Sequence, residues 1–437
     1  MCLNEYFYEE KETLTHKNID VVKYLSTYDV VIIWFSGGKD SYVCLLLLLY
    51  VYKVDPKKIE LHHHDVDGRK NGNPHVKGGR NLWDYNVTTD YVRKVGKAHG
   101  VKVYISYRED GIEGSMRKKN SPSKKIWWEN PDGTWGGNKP KADRLNTRMR
   151  FAEISGNLKN RYCTSEEKID VGTSMILNSK RFKKKRVLTV SGERWEESTN
   201  RSTYIEFEHD RSHSKMVDKT EPRTDKDGNI LYKTNPDGSV KMYKDKKTGE
   251  LKSRIKYKVH AKCTPDWENC DKSNHVDRWR PVLKWKIGEV WAMMKKFKVV
   301  PHPGYILGMG RLSCRFCIFA SDNQVATVNI IAPHSIKILS SFEEECGEFH
   351  LANCGGYKAN GDPCSICENI LARPTPAYTM HRKMTIPERV KKGTPYPLEG
   401  KQDIIDLCNS EVYYGDIFYE GDWIEPAGMW GETCGPS

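Results

Sequence analysis

Between residues 29 and 107, short apolar runs alternate with longer segments of helical character. The short runs are rich in β-branched residues and predict buried strands, whereas the longer segments predict helices. Strands that alternate with helices are typical of a parallel sheet, whose ligands bind at the carboxyl ends of the strands. The predicted order is strand 29–35, helix 42–49, strand 59–66, helix 87–99 and strand 101–106.

The pattern is less regular after residue 107. Residues 108–143 are polar, with Gly, Pro, Lys and several tryptophans, and we predict a long loop near the active site. Helices are predicted at 144–158 and 165–178, and a buried strand at 186–190. The α/β pattern returns with a strand at 280–283 and a helix at 286–298, and it weakens beyond about residue 325.

A different pattern occupies residues 210–260. The turn dipeptides Asp227-Gly228, Asp237-Gly238 and Thr248-Gly249 separate short β-prone runs, as in a β-meander. We interpret this segment as an insertion into the α/β domain, with many of its lysines on an exposed face. Solvation is the default explanation of that charge, and nucleic-acid binding is the alternative.

The turn between the first strand and its helix is the strongest chemical signal. Backbone N–H groups and the positive end of the helix dipole meet there, so the turn predicts an anion site. Glycines let the backbone approach a phosphate without a Cβ in the way. The motif differs from the GxxxxGK[ST] loop of P-loop NTPases. The turn consists of Ser36, Gly37, Gly38, Lys39, Asp40 and Ser41.

Composition narrows the classes of protein. A chain of 437 residues can hold two or three domains, and its net charge of +13 suits polyanionic nucleotides and permits nucleic-acid contact. The apolar run at 42–52 is too short to span a bilayer, and the N-terminus lacks a signal-peptide pattern, so we expect a cytoplasmic protein without membrane contact. Thirteen cysteines, several in Cys-x-x-Cys pairs, favour metal or redox roles over a disulfide framework.

Further motifs follow the glycine-rich turn in the order of a known family. With it, they resemble the phosphoadenosine phosphosulfate (PAPS) reductase family of the PP-loop, N-type ATP pyrophosphatase superfamily, especially the PAPS-reductase-like proteins often carried by phages and prophages. The resemblance covers about residues 29–321. The motifs are Arg161-Tyr162-Cys163-Thr164 with Lys168, then 191–198 with Arg201, then Arg280-Pro281-Val282 through His302-Pro303 and Tyr305, then Arg311-Leu312-Ser313-Cys314-Arg315-Phe316-Cys317.

The resemblance implies an α/β fold like that of the adenine nucleotide alpha hydrolases, with a parallel sheet covered by helices on both faces. We expect a PP-loop nucleotide-binding domain at 1–209 and the basic β-meander insertion at 210–260. We expect the α/β domain to be completed at 261–325. A Cys-rich C-terminal region should occupy 326–437.

Basic residues in these motifs suit the phosphates or sulfate of PAPS or ATP, because arginine binds such oxygens bidentately and lysine acts as a point charge. The alternative is surface pairing with nearby glutamates. We assign catalytic roles to Lys39, Asp40 and Arg194; Asp40 could hold Mg²⁺ or simply complement the helix dipole. In the resembling family the end of the second strand approaches the nucleotide. Asp65 and Asp67 lie at that position here and are therefore nucleotide-binding candidates. The other nucleotide-binding candidates are Arg161, Lys168, Gly192, Arg194 and Arg201.

Three cysteines match positions that carry a [4Fe–4S] cluster in members of this superfamily: Cys163, Cys314 and Cys317. Cluster-bearing reductases have a second cysteine after the first position, where this chain has a threonine. Either Cys263 or Cys270 supplies the missing ligand, or three cysteines hold a cluster with one open iron. The third alternative is zinc or free thiols.

A second group consists of Cys346, Cys354, Cys364 and Cys367, which resembles a four-ligand zinc knuckle. A competing interpretation makes Cys346 the catalytic nucleophile, because its Glu-Cys-Gly context and the nearby His350 resemble the reductase tail. That tail is the extreme C-terminus in the family, whereas 87 residues follow His350 here. We therefore predict the zinc role.

Three functions follow as hypotheses. The first is sulfonucleotide reduction or related sulfur chemistry, in which a thiol attacks the sulfur of PAPS and a thiol reductant completes the cycle. The second is an ATP pyrophosphatase that adenylates an acceptor, such as a nucleic-acid base, for sulfur or other group transfer. The third is a non-catalytic protein that binds nucleotide or nucleic acid.

Overall fold

The computed structural model describes most of the chain from residue 21 onward. The described residues are 21–68, 81–138, 144–210, 212–213, 219–222, 224–225, 227–235, 237–245, 248–255, 257–260, 274–312, 314–357, 362–373, 377–381 and 383–432.

Strands in this part of the chain group into one large sheet and two separate two-stranded sheets. They are β1 (Val30–Trp34), β2 (Ile59–His64), β3 (Lys102–Arg108), β4 (Ile126–Glu129), β5 (Trp135–Gly137), β6 (Arg186–Val190), β7 (Phe207–His209), β8 (Lys219–Pro222), β9 (Met242–Lys244), β10 (Leu251–Ser253), β11 (Tyr257–His260) and β12 (His275–Trp279).

Helices connect the strands and form most of the C-terminal region. They are α1 (Val21–Ser26), α2 (Lys39–Leu46), α3 (Thr88–Ala98), α4 (Gly111–Met116), α5 (Tyr162–Thr164), α6 (Asp170–Asn178), α7 (Ile287–Lys296), α8 (Pro303–Ile306), α9 (Asp322–Ile331), α10 (Pro333–Cys354), α11 (Ser365–Leu371), α12 (Ile386–Lys392) and α13 (Gln402–Asn409). A π-helical segment, Leu47–Val51, extends α2, and another, Ser165–Ile169, joins α5 to α6.

The large sheet has eight strands in the order β5-β4-β3-β2-β1-β6-β12-β7. The five central strands, β3, β2, β1, β6 and β12, are parallel to one another. At the edges, β4 pairs antiparallel with β3, β5 with β4, and β7 with β12. The predicted α/β class is therefore confirmed, with a sheet that is mostly rather than entirely parallel.

Both faces of the sheet carry helices. Successive side chains of a strand point to opposite faces, so one strand contributes to two cores. Val31 and Ile33 of β1 belong to the larger core, which includes residues of α2, α3 and α7. Ile32 belongs to a second core with Val171 and Met175 of α6. The two cores hold the carboxyl end of β1 between packed layers, which fixes the turn that follows it.

Three expected elements are wrong. Residues 108–143 are not simply a loop, since they contain α4 and the antiparallel strands β4 and β5. No helix forms at 144–158, where Met149 has a left-handed φ of 44° and is buried. The strand predicted at 280–283 is a turn, because β12 lies just upstream of it.

The segment predicted as a β-meander does form antiparallel strands. β8 pairs with β11, and β9 pairs with β10, between strands β7 and β12, which are neighbours in the large sheet. Among the described residues, no helix is both long enough and apolar enough to cross a membrane.

Candidate nucleotide site and metal centre

The glycine-rich turn lies at the centre of the parallel sheet. After β1 the chain runs outward through β2 and β3 on one side, and β6 and β12 lie on the other. Such a reversal of strand order opens a crevice at the carboxyl ends of the strands, where open α/β sheets bind ligands. Gly37 takes a φ of 80°, and α2 begins at Lys39, so the turn is followed immediately by a helix N-terminus.

The turn packs tightly against the segment after α7. The hydroxyl of Tyr305 accepts a hydrogen bond from the backbone N–H of Lys39 at 3.1 Å. A Cβ placed on Gly38 would lie 3.0 Å from the carbonyl oxygen of Leu312 and 3.3 Å from the Tyr305 hydroxyl. Gly38 therefore lies in close contact with protein atoms on this side, and a side chain there would have to displace them by a few tenths of an ångström.

The three residues assigned catalytic roles lie together. Asp40 contacts the Lys39 ammonium at 3.2 Å and accepts a hydrogen bond from Nε of Arg194 at 2.7 Å. Lys39 and Arg194 are each only 2% exposed. Burial alone would raise the pKa of Asp40, but the two cations hold it below its ordinary value, so the carboxylate is ionised.

Gly192 brings the loop after β6 against the start of α2. A Cβ at this position would lie 2.5 Å from the backbone carbon of Asp40 and 2.8 Å from the nitrogen of Ser41. Arg201 follows in the same loop and forms an ion pair with Glu197. Burial and the positive charge of the neighbouring Arg311 lower the pKa of Arg201. Arg201 is also close enough to Asp40 for that carboxylate to act in the opposite direction.

Asp65 and Asp67 follow β2 at the same edge of the sheet, but their described contacts are structural. Asp67 accepts backbone N–H groups of Leu82, Trp83 and Asp84 at 2.8–2.9 Å. Burial and the neighbouring Asp65 raise the pKa of Asp67 to about 7. Asp65 accepts the N–H of Asp67 at 3.2 Å. Asp67 therefore holds the segment at 82–84 next to the crevice, and Asp65 orders the turn after β2.

Lys168 lies with the cysteines Cys163, Cys314 and Cys317 rather than at the glycine-rich turn. Burial lowers the pKa of Lys168, but the three nearby thiols raise it above its ordinary value. Burial also raises the pKa of Cys163 to about 11 and that of Cys314 still further. The structure thus brings together the three cysteines expected to hold a cluster; Cys263 and Cys270 lie outside the described residues.

A pocket adjoins these cysteines. Cys314 and Cys317 line it together with Arg311 and Phe319. The guanidinium of Arg161 lies 5.8 Å from the centre of the Phe319 ring, and its buried Nε has no hydrogen-bond partner among the described residues. The same segment that reaches Gly38 through Leu312 therefore carries an arginine and two cysteines into a pocket.

A second cysteine group forms a compact cluster at the end of α10. One ligand atom from each of His350, Cys354, Cys364 and Cys367 lies within 4.8 Å of the others, so this set could hold a metal ion. His350 and Cys354 are four residues apart on the last turns of α10, and Cys364 and Cys367 flank the start of α11.

The charge state of Cys364 also suits a metal, whereas burial and the neighbouring thiols raise the pKa of Cys367 to about 11. The backbone N–H of Cys367 and the imidazole of His350 lower the pKa of Cys364 to about 6, which favours the thiolate at neutral pH. Sγ of Cys364 lies 3.6 Å from Nε2 of His350. One histidine with three cysteines is a common zinc ligand set.

Cys346 does not belong to this cluster, in contrast to the sequence prediction. It is fully buried in the hydrophobic core, two turns before Cys354 on α10. Burial raises the pKa of the Cys346 thiol well above its ordinary value, which also disfavours a nucleophilic role. His350 takes its place. It lies one turn before Cys354 on α10, whereas Cys346 lies two turns before Cys354 and is therefore too far along the helix.

Two contributors to these sites were missed by the sequence analysis as site residues. His350 lies four residues before Cys354, and this i, i+4 spacing would have indicated a shared ligand set only if a helix had been predicted there, which it was not. Tyr305 was matched only as part of a motif, and nothing in a single sequence indicates that its hydroxyl would hold the Lys39 N–H.

Comparisons with known proteins are sparse. No protein-family model matches the chain. Over 80 residues the chain is 30% identical to a protein of Escherichia phage 186 named "Uncharacterized 37.8 kDa protein in gpa 5'region". The similarity spans 18% of this chain and 24% of the phage protein.

Proposed function

We propose that this protein is a PP-loop enzyme of the PAPS reductase type that binds an adenine nucleotide over Ser36–Ser41. The observation that carries the proposal is the position of this turn at the strand-order reversal, with the buried Lys39 and Arg194 beside it. Backbone N–H groups of the turn would hold phosphates, and the two cations would neutralise them. Asp40, being ionised, would hold Mg²⁺ when the nucleotide carries it in.

Sulfur chemistry is favoured by the pocket next to the turn. Arg311 lines the pocket and Arg161 lies beside its Phe319, so both guanidinium groups are suited to an anionic group such as sulfate, and Cys314 and Cys317 lie in the same wall. We therefore propose sulfonucleotide reduction or a related sulfur transfer as the reaction class. ATP pyrophosphatase chemistry is the alternative for the same turn, because the turn would hold pyrophosphate as readily.

We further propose that Cys163, Cys314 and Cys317 hold a [4Fe–4S] cluster. Three thiols grouped beside Lys168 would suit such a group, because a bound metal deprotonates the thiols that ligate it and the lysine would offset their negative charge. Among the described residues these three do not form a group within 4.8 Å, the spacing expected for ligands of one ion, which favours a larger cluster over zinc.

The cluster gives a direct prediction. Anaerobically purified protein should be brown and contain iron and acid-labile sulfide, and Cys317→Ala should lose both, because one of three protein ligands is removed. Metal analysis and the visible absorption spectrum measure this. Cys408→Ala is the matched control, since Cys408 is another buried free cysteine outside the group. Stoichiometric zinc without iron in the anaerobic wild type would contradict the proposal.

The reaction class is tested by incubating the purified protein with PAPS and a dithiol reductant, or with ATP, and measuring sulfite and pyrophosphate. We expect sulfite from PAPS. Pyrophosphate from ATP without sulfite from PAPS would favour the adenylating alternative. Tight nucleotide binding without either product would leave only the binding function.

A further inference from the structure

Three β-hairpins of the same design follow one another between residues 224 and 255. Each turn ends in a glycine with a left-handed φ, namely Gly228, Gly238 and Gly249. Each glycine N–H bonds to the carbonyl of an Asp or Asn three or four residues earlier, and that residue's own N–H bonds across the turn. The chain between these turns is joined by isolated bridges, such as Tyr232 with Ile255.

This three-hairpin module has no core of its own. Where side chains are described between residues 224 and 255, none is buried. Large side chains are exposed on it, including Tyr232, Met242 and Tyr243, and Leu251 is 70% exposed. Exposed aromatic and aliphatic side chains in a short ribbon indicate a contact surface.

Charge in the module is uneven. Residues 224–255 contain 8 lysines and arginines against 5 aspartates and glutamates. Two of the acids are engaged in turns: Asp225 accepts from Asn229, and Asp237 accepts from Ser239. Cations lie instead on or next to strands β9 and β10, so the module presents positive charge to its surroundings. They are Lys241, Lys244, Lys252 and Arg254.

One face of the β9–β10 hairpin combines cations with an aromatic ring. Tyr243 lies directly opposite Lys252. Lys241 and Arg254 lie one residue beyond the ends of the two strands, where the Arg254 N–H donates to the Lys241 carbonyl at 2.8 Å. Each is two residues from a member of the Tyr243–Lys252 pair, hence on the same face. The Arg254 guanidinium lies 5.9 Å from the centre of the Tyr243 ring. Lys252 is paired with Asp245 at 2.9 Å. Among the described residues, Lys241 and Arg254 have no ion-pair partner.

We propose that this basic–aromatic face, defined by Lys241, Tyr243, Lys252 and Arg254, binds single-stranded nucleic acid. A base would stack on the Tyr243 ring, while Lys241 and Arg254 contact the flanking phosphates. Stacking on an aromatic ring between cations accepts any base, so the interaction is not sequence-specific. This inference is independent of the reaction at the glycine-rich turn.

The opposite face of the same hairpin differs and argues against a purely apolar partner. It carries Met242, Lys244 and Leu251, with Lys244 directly opposite Leu251. A protein partner would be expected to use those apolar side chains, whereas a polyphosphate chain would use the face that carries Lys241 and Arg254. Charge complementarity therefore selects nucleic acid as the occupant.

The test uses the full-length protein and fluorescence anisotropy with labelled oligothymidylate and oligouridylate, which separate DNA from RNA. We expect wild type to bind at low salt. Tyr243→Ala should weaken binding by about 10-fold, the loss typical of one stacked base. The double variant Lys241→Gln/Arg254→Gln should reduce the slope of log affinity against log salt by about 1.4, because two phosphate contacts are lost on a single strand.

Lys244→Gln is the matched control, since it removes one charge from the opposite face. It should change affinity and salt slope less than the double variant. The proposal is overturned if wild type binds neither oligonucleotide, or if Tyr243→Ala binds as tightly as wild type. Equal binding of inorganic polyphosphate, unaffected by Tyr243→Ala, would also overturn it, as would binding only to anionic phospholipid vesicles. Circular dichroism confirms that each variant is folded.

Discussion

Replacing Cys367 with serine is expected to release the zinc ion that we propose for the cluster at the end of α10 and to unfold the segment that contains α11. This helix has only seven residues and is too short to be stable without tertiary anchors. Two of its residues, Cys367 and Ile370, are buried, so the metal would supply much of the anchoring. Zinc affinity should fall by about 100-fold or more, since losing a group that merely orients a ligand already costs about 10–100-fold.

Metal content after gel filtration, and thermal unfolding with and without a chelator, measure this effect. Cys346→Ala is the matched control on the same helix and should retain zinc, because Cys346 lies in the core rather than in the cluster. His350→Ala should weaken zinc binding. If Cys346→Ala released zinc while His350→Ala kept it, the assignment of the fourth ligand would be wrong.

Gly192→Val should abolish nucleotide binding while the sheet remains folded. The new Cβ would lie 2.5 Å from the backbone carbon of Asp40 and 2.7 Å from its oxygen, and backbone atoms at the start of a helix cannot move aside cheaply. The loop after β6 would be pushed away from α2, and Arg194 would leave Asp40. We expect a loss of about 100-fold or more in affinity, or close to 3 kcal/mol.

Gly421→Val is the matched control, since a Cβ on Gly421 meets no heavy atom within 4 Å. Equilibrium binding of ATP and PAPS should be unchanged in this variant. Circular dichroism and thermal unfolding establish whether Gly192→Val is folded. Wild-type affinity in a folded Gly192→Val protein would show that the loop after β6 does not close the nucleotide site.

Much of the parallel core could be predicted because its strands are short, continuous apolar runs. β1 and β6 are almost wholly buried, so their composition reveals them. β12 was misplaced because it carries His275, Asp277 and Arg278, which resemble an exposed segment. Asp277 is satisfied by the Tyr28 hydroxyl at 2.6 Å and by the histidines beside it, partners that only the fold supplies.

The edge hairpin β4–β5 was missed for a related reason. It lies in a polar stretch whose Gly, Pro and Lys residues suggested a loop. Trp128 is nevertheless buried, and a Cβ on Gly136, its partner on β5, would meet the indole ring. The expected helix at 144–158 fails because its polar side chains find distant partners. Arg148, for example, pairs with Glu166.

The candidate sites were predictable where a motif fixes the backbone and less so where long-range packing chooses a side chain. The glycine-rich turn has a conformation that its own residues favour, with Gly37 at a φ of 80° and a helix that begins at Lys39, as the sequence predicted. Lys168 was expected among the nucleotide ligands but lies beside the three cysteines, because the π-helical segment after α5 directs it there. The choice of His350 over Cys346 likewise depends on which face of α10 meets α11.

The most direct test of the account is a calorimetric titration of ATP and of PAPS into wild-type protein and Gly38→Val. A valine there would crowd the Leu312 carbonyl and the Tyr305 hydroxyl and occupy the space of a phosphate. We predict that wild type binds at least one of the two nucleotides with one site per chain, and that Gly38→Val binds neither. Absence of binding to wild type, or equal affinity in the two proteins, would contradict a nucleotide site at Ser36–Ser41.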